Sequence, residues 1–254
     1  EYSIAGGLRG EPLPLVKCET VDLEVPAHAE IVLEGIVRNG VRENEGPFGE
    51  FTGYMGPGGL SLVVELTCMT RRRDLIYHSF LSQMPPSESS CIRSLGRSAG
   101  LRHHLHDVLG LPVSNVHFTE SGGSSAIVVI AMHKEYPQQV KEVACGAWSL
   151  ANKEGKFLIV VDDDIDVRNP FQVEWAMSFR AQPARDLWIV DGIVPSGLDP
   201  STAPADIPQH DPRRKAGSKV LIDATRKHEY PPAARLPKNY IDTVMKRWRD
   251  YGFK

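Results

Sequence analysis

The run Ser124 to Met132, Ser-Ser-Ala-Ile-Val-Val-Ile-Ala-Met, restricts the fold of this chain more than any other stretch. It is continuous, apolar, of strand length and rich in Ile and Val, the composition of a strand buried on both faces. Such a strand needs cover above and below. Pro137 to Ala151 offers it, with Val140, Val143, Ala144, Ala147, Trp148 and Ala151 at the spacing of an amphipathic helix. Phe157 to Val161, Asp186 to Val190 and Lys219 to Ile222 read as three further strands, giving an α/β layer. At the end of the chain, Pro237 starts a helix spanning Leu236 to Tyr251, with Tyr240, Ile241, Val244, Met245 and Trp248 as its apolar stripe and Gly252 as its stop. That stripe has to dock on the chain's own core or on a partner subunit.

The first eighty residues have a different pattern. Short β-rich runs at Leu15 to Cys18, Glu30 to Val37, Leu60 to Met69 and Leu75 to Phe80 are separated by Gly6-Gly7, Arg38-Asn39-Gly40 and Gly56-Pro-Gly-Gly59. Tyr2 to Ala5 also reads as a strand. Short strands with Gly-rich turns predict a barrel or sandwich. Composition shifts at Met84-Pro-Pro-Ser-Glu-Ser-Ser90, which places a boundary between a β part, 1–86, and an α/β part, 87–254. The second part opens with a basic helix, Cys91 to Leu109, carrying Arg93, Arg97, Arg102, His103, His104 and His106. His104 and His106 are two apart and do not share a helix face, which favours a solvated or interface helix over a metal site.

Charge and cysteine usage exclude several classes. A formal net charge of -3 and a pI near 6.3, without a basic arm, give no case for nucleic acid. No apolar run approaches the ~20 residues of a membrane helix, and the start lacks the layout of a signal peptide, so a soluble cytoplasmic protein is expected. Cys18, Cys68, Cys91 and Cys145 form no C-x-x-C pair and read as buried free thiols.

The chemistry concentrates in Glu45-Gly-Pro-Phe-Gly-Glu-Phe-Thr-Gly-Tyr54. Gly46, Pro47 and Gly49 forbid a helix and hold Glu45 and Glu50 on a backbone-defined loop between strands. Paired carboxylates at a fixed distance suit proton transfer; a solvated acidic turn is the alternative on physical grounds.

This loop, with Ala29-Glu-Ile-Val-Leu-Glu-Gly35 before it, closely resembles the signature of UbiD-type decarboxylases, which use prenylated flavin mononucleotide. Leu15-Val-Lys-Cys-Glu-Thr20, Glu24-Val-Pro-Ala-His28, Val161-Asp-Asp-Asp-Ile-Asp-Val167, Leu198-Asp-Pro200 and Ile222-Asp-Ala-Thr225 look like the same family. The resemblance implies the later part of a split β-barrel flavin-binding domain followed by an α/β oligomerisation domain. It implies reversible non-oxidative decarboxylation of an aromatic, heteroaromatic or α,β-unsaturated acid, a homodimer or higher homo-oligomer, and a flavin prenyltransferase that supplies the cofactor. Glu45 and Glu50 would face the reactive ring, with Glu50 as proton donor, and Pro47 and Phe48 would border the cofactor. Glu1 matches the position of an acidic metal ligand that bridges manganese to the flavin phosphate, with potassium as a further candidate ion. The rest of the phosphate site, and an arginine paired with the two glutamates, are expected upstream, on a longer polypeptide. The rival reading is a non-catalytic oligomerisation module lacking that upstream half.

His78 and Arg93 are candidates for orienting a substrate carboxylate, against the alternatives of a core histidine and a surface arginine. Asp162, Asp163, Asp164 and Asp166 follow a buried strand, where α/β sheets place ligands, but no calcium loop follows and a structural or subunit-contact role is favoured. Pro195 to Gly217 shows neither period and is long for a structureless loop, a length that marks loops as functional or disordered.

Overall fold

In the computed structural model, α1 (Tyr2–Arg9) opens the chain, so Tyr2 to Ala5 is helical and not the expected strand. The model describes residues 1–56, 58–150, 152–204, 207, 216–234 and 236–252. Gly6 and Gly7 lie inside α1, and the turn falls at Gly10, whose φ of 76° returns its N–H to the carbonyls of Gly6 and Gly7. A Cβ on Gly6 would lie 3.2 Å from the Glu11 carbonyl oxygen, so this glycine lets the following segment fold back on the helix.

Two antiparallel ribbons follow. The first pairs β1 (Leu15–Lys17) with β2 (Glu24–Pro26), and the second pairs β3 (Ile31–Glu45) with β4 (Gly59–Arg71). Arg38-Asn39-Gly40, expected as a turn, is absorbed into β3: the register shifts between Val37 and Arg42, and Gly40 takes a φ of 80° there. Glu34 is buried in β3 and ties the ribbons together, accepting from the N–H groups of Glu19 and Thr20 and from the Thr20 hydroxyl. The Glu19 N–H foremost, aided by Thr20, holds its carboxyl below the usual range against the opposing effect of burial. Leu75 to Phe80 forms no strand, and its apolar residues Ile76, Tyr77 and Phe80 are exposed. Part of the Gly56 to Gly59 turn, Pro57, lies outside the described residues.

Ser87 caps α2 (Glu88–His103) through a reciprocal pair in which the Ser90 N–H donates to Ser87 Oγ and the Ser87 N–H to Ser90 Oγ. A five-residue π turn, His104–Val108, continues it. The buried edge of α2 is a row of serines. Ser94 Oγ donates to the Phe118 carbonyl, Ser98 Oγ accepts the Phe118 N–H, and Ser124 Oγ donates to the Ser90 carbonyl. These bonds seat the helix on β5 (Val113–Phe118) and on the approach to β6 (Ile127–Met132).

After β6 come α3 (Gln139–Leu150), β7 (Phe157–Asp162), α4 (Pro170–Arg180), α5 (Pro183–Asp186), β8 (Leu187–Ile193) and β9 (Gly217–Ala224). The five strands order as β5-β6-β7-β9-β8, with β6, β7 and β9 parallel and both edges antiparallel. Residues 205–206 and 208–215 of the long loop before β9 lie outside the described residues.

The period-two rule sorts the core. Val128, Ile130, Met132, Leu158, Val160 and Leu221 point to the side covered by Val140, Val143, Ala144 and Ala147 of α3. Val129, Ala131, Ile159, Val161 and Ala224 point to the other, against Val173 and Ala176 of α4. Every buried hydrophobic side chain among the described residues lies between Leu101 and Ala224. The β3–β4 ribbon leaves Leu60, Leu62, Val64 and Leu66 exposed on one face, and α6 (Lys238–Lys246) leaves Tyr240, Ile241, Val244 and Met245 exposed.

Leu158 is fully buried in the centre of the sheet. Leu158→Ala is expected to lower unfolding free energy by about 2–5 kcal/mol, read as a reduced urea midpoint at unchanged slope.

Candidate active site

Glu45 closes β3 and Glu50 opens a tight turn inside the loop that follows. The loop is a miniature hairpin: Gly49 bridges Met55, the Gly56 N–H donates to the Phe48 carbonyl at 2.8 Å, and the Glu50 N–H to the Tyr54 carbonyl at 2.9 Å. Gly53, at φ 86°, returns its N–H to the Glu50 carbonyl. The Glu50 side chain is half-buried against Gly56, where a Cβ would sit 3.1 Å from Glu50 Cγ. Glu45 is exposed, and its Oε2 accepts the Ser61 hydroxyl at 2.7 Å. Pro47 and Phe48 are exposed on the same loop.

Phe51 anchors this hairpin to the second half of the chain. The Arg93 guanidinium lies 4.7 Å from its ring centroid, and a Cβ on Gly123 would come within 2.9 Å of Phe51 Cδ2. Arg93 is itself held by the Ser89 carbonyl and hydroxyl.

Between hairpin and sheet lies a cavity of about 500 Å³. Phe51, Thr52 and Tyr54 form one wall; Lys156 and Phe157 at the start of β7, and Lys219 near the start of β9, form another. Val194, Pro195 and the Asp199 segment close it. Lys156 Nζ donates to Asp199 Oδ2 at 2.9 Å and to Ser201 Oγ at 2.8 Å. Burial pushes the Asp199 carboxyl up, but Ser201 and Lys156 outweigh it and hold the group below the usual range. Lys219 is only 5 % exposed, with its ammonium 5.6 Å from the Trp148 ring. Burial pushes it down to about 8, against the opposing pull of Glu154. A smaller cavity lined by Glu50, Gly56 and Leu198 adjoins the first, and the two share Thr52, Tyr54, Asp199 and Pro200.

The structure thus brings Glu50 to a cavity wall opposite Leu198-Asp199-Pro200 and leaves Glu45 on the outer strand end. Among the described lining residues of the large cavity neither His78 nor Arg93 occurs. His78 is exposed, 5.6 Å from the Phe80 ring, and Arg93 reaches the site through Phe51 and feels the charge of Glu50. Glu1 is exposed ahead of α1, and among the described residues no three His, Cys, Asp or Glu side chains are grouped to hold a metal ion.

The acidic run after β7 is filled by arginine. Buried Arg180 donates to Asp162 and, through both terminal nitrogens, to Asp164, while Arg226 also pairs with Asp164. Burial disfavours the Arg180 charge, but Asp164 and Asp162 outweigh it and raise its pKa. Sequence reading passed over Lys153, Lys156 and Lys219. The available signal was Lys219 itself, a charge at an inward position of a strand pattern.

The described architecture is a mixed α+β chain whose later part is an α/β layer. Residues 1–85 match the family described as 3-octaprenyl-4-hydroxybenzoate carboxy-lyase Rift-related domain, and 90–224 the corresponding C-terminal domain. The chain belongs to the UbiD family. It is similar to the UbiD-class enzyme HmfF from Pelotomaculum thermopropionicum in complex with FMN, with 37% identity and a TM-score of 0.82 over 98% of this chain and 53% of that one. An evolved dimeric form of HmfF in complex with prFMN matches at 36% identity and TM-score 0.74, over 93% of this chain and 49% of that one. Apo Klebsiella pneumoniae 3,4-dihydroxybenzoic acid decarboxylase, AroY, matches at 26% identity and TM-score 0.78, over 95% and 52%. The chain therefore spans about half the length of the solved structures it matches.

Two outcomes are expected. Arg180→Met leaves Asp162 and Asp164 without their shared cation and should cost about 3 kcal/mol, measured by urea unfolding. Lys219 has a folded pKa of about 8 against an ordinary 10.5, so the folded state binds fewer protons between those values and stability should rise with pH across that window. Unfolding curves of wild type and Lys219→Met from pH 7 to 10.5 should show a steeper rise in the wild type, the part that Lys134 contributes being common to both.

Proposed function

We propose that this protein performs the reversible non-oxidative decarboxylation of an aromatic, heteroaromatic or α,β-unsaturated carboxylic acid with prenylated FMN. The observation that carries the reading is the hairpin bearing Glu45 and Glu50, which sets Glu50 into a cavity wall in a chain of the UbiD family. Prenylated FMN, when bound, supplies the electron-accepting ring system for loss of CO2. The residues present fit such a group: Phe48, 51 % exposed, stands beside Pro47 on a loop braced by backbone hydrogen bonds, next to the exposed carboxylate of Glu45.

Within that frame the chain's residues divide the work. Glu45, braced by Ser61, and Pro47 and Phe48 border the cofactor. Glu50, pressed against Gly56 and shielded on one side, delivers a proton to the carbon that carried the carboxylate. Phe51, Thr52 and Tyr54 face the substrate cavity and exclude water from it. His78 and Arg93 are proposed as outer residues, Arg93 acting through its hold on Phe51. Manganese at Glu1, or a potassium ion, belongs to the same proposal on resemblance alone, with the remaining ligands expected upstream.

The proposal extends to a flavin prenyltransferase as cofactor supplier, to a cytoplasmic location and to a homodimer or higher homo-oligomer. No described helix is long and apolar enough to cross a membrane. The exposed stripe of α6 supports assembly, and light scattering at micromolar concentration is expected to give at least a dimer.

One observation favours the non-catalytic alternative: no hydrophobic residue before Leu101 is buried among the described residues, so the flavin-facing ribbons have little core of their own. Glu50→Gln tests between them. Glutamine cannot supply the proton, so CO2 release from aromatic acids should fall ~10²–10⁴-fold while the flavin spectrum is retained. A variant that keeps its flavin and the parental rate removes Glu50 from the mechanism, and a parent protein that binds no flavin favours the alternative.

A further inference from the structure

The four cysteines are not the uniformly buried thiols that the sequence suggests. Cys91 and Cys145 are exposed, whereas Cys18 and Cys68 are half-buried and meet at one place on the β3–β4 ribbon. Cys68 in β4 stands directly across from Glu34 in β3, so the two side chains share a face. Glu34 accepts the N–H groups of Glu19 and Thr20 at 2.9 and 2.6 Å, which sets Cys18, the residue before Glu19, over that same face. The register shift after Glu34 leaves Thr67 without a cross-strand partner, and its hydroxyl meets that of Thr20 at 2.6 Å. The turn after β1 is therefore pinned to the cross-strand partner of Cys68 and to its chain neighbour. Cys18 also lines a cavity of about 200 Å³ with Val32, Glu34 and Thr70, and Thr70 lies two residues beyond Cys68 on the same side of β4. Burial foremost, then the charges of Glu34 and Cys68, push the Cys18 thiol up.

We propose that Cys18 and Cys68 are a redox modification site, in which a small peroxide converts the two thiols to a disulfide that staples the turn after β1 to β4. The site is independent of the decarboxylase reading. Cys18 keeps its proton and is the poorer first nucleophile, so the Cys68 sulfur attacks a peroxide oxygen, the O–O bond breaks, and Cys68 carries S–OH with one water released. The Cys18 sulfur then attacks the Cys68 sulfur. An S–S bond forms, the S–O bond breaks, and the hydroxyl leaves with the Cys18 proton as a second water. Two electrons have passed from the thiols to the peroxide, and a thiol reductant returns them. No hydrophobic residue before Leu101 is buried among the described residues, so these ribbons rely on polar ties such as those of Glu34, and the disulfide makes one of them covalent.

The test is thiol mapping of the purified, reduced protein after a small excess of hydrogen peroxide, with the remaining thiols alkylated and the digest analysed by mass without reduction. Two of the four thiols should be lost, and peptides carrying Cys18 and Cys68 should appear linked at least about tenfold above any other pairing, because the fold holds these two at high effective concentration. Dithiothreitol should restore all four. The same linked pair should form in Cys91→Ser/Cys145→Ser, which removes only exposed thiols. In Cys68→Ala, Cys18 should remain alkylatable, since its oxidation needs the partner sulfur. Cys18 and Cys68 both still alkylated once Cys91 and Cys145 are oxidised overturns the site. So does Cys68 driven to the sulfinic acid beside a free Cys18 thiol, since the two sulfurs then fail to meet. Linkage between two chains in place of linkage within one, read on a non-reducing gel, overturns it as well.

Discussion

Phe51 is the contact on which the candidate site depends. It follows Glu50 in the chain, and its ring is held between the Arg93 guanidinium and the bare backbone of Gly123. A side chain at Gly123, whose φ is 64°, would strain the backbone and strike the ring. The hairpin therefore takes its position from the α/β layer, although covalently it belongs to the β3–β4 ribbon. Glu50 inherits that position. Because Arg93 is anchored to Ser89 in the first turn of α2, and Ser87 and Ser90 cap that turn, the geometry at Glu50 traces back to a helix start.

What could be read from the sequence follows from where local rules suffice. Strands β6, β7 and β9 were visible because burial on both faces leaves an unbroken apolar run, and α3 because its stripe matches the helical period. Helix α2 begins at Glu88, ahead of the expected Cys91, because Ser87 and Ser90 cap it within the stretch that reads as a boundary. Elements fixed by tertiary context were missed. Tyr2 to Ala5 has β-prone residues but is closed as a helix by Gly10, and β3 runs through Arg38-Asn39-Gly40 because a bulge absorbs the turn-like triplet. Helix α4 could have been found, since Asn169 caps it and Pro170 occupies its first turn. Glu45 and Glu50 were legible through motif and loop chemistry. The lysines were not, because Lys153, Lys156 and Lys219 come together only when β7 and β9 pair in parallel.

In open α/β layers ligands usually collect beyond the carboxyl ends of the strands. Here that end carries Asp162, Asp163 and Asp164, but Arg180 and Arg226 pair with Asp162 and Asp164. The cavity lies instead at the amino ends of β7 and β9, reached from Lys156 and from the Gly217 to Lys219 turn-in. The hairpin brings Glu50 to the amino-end side, where Phe51, Thr52 and Tyr54 wall the space.

Burial of charge shows why the two ends differ. At the carboxyl end Arg180 meets its carboxylates directly: it is almost fully enclosed, yet Asp162 and Asp164 raise its pKa above the ordinary value. At the amino end Lys219 is similarly enclosed, yet its pKa falls, because Glu154 opposes the cost of burial without overcoming it. The carboxylates bonded to Arg180 outweigh its burial, whereas at Lys219 burial outweighs the pull of Glu154. Two buried cations of one sheet are therefore shifted in opposite directions.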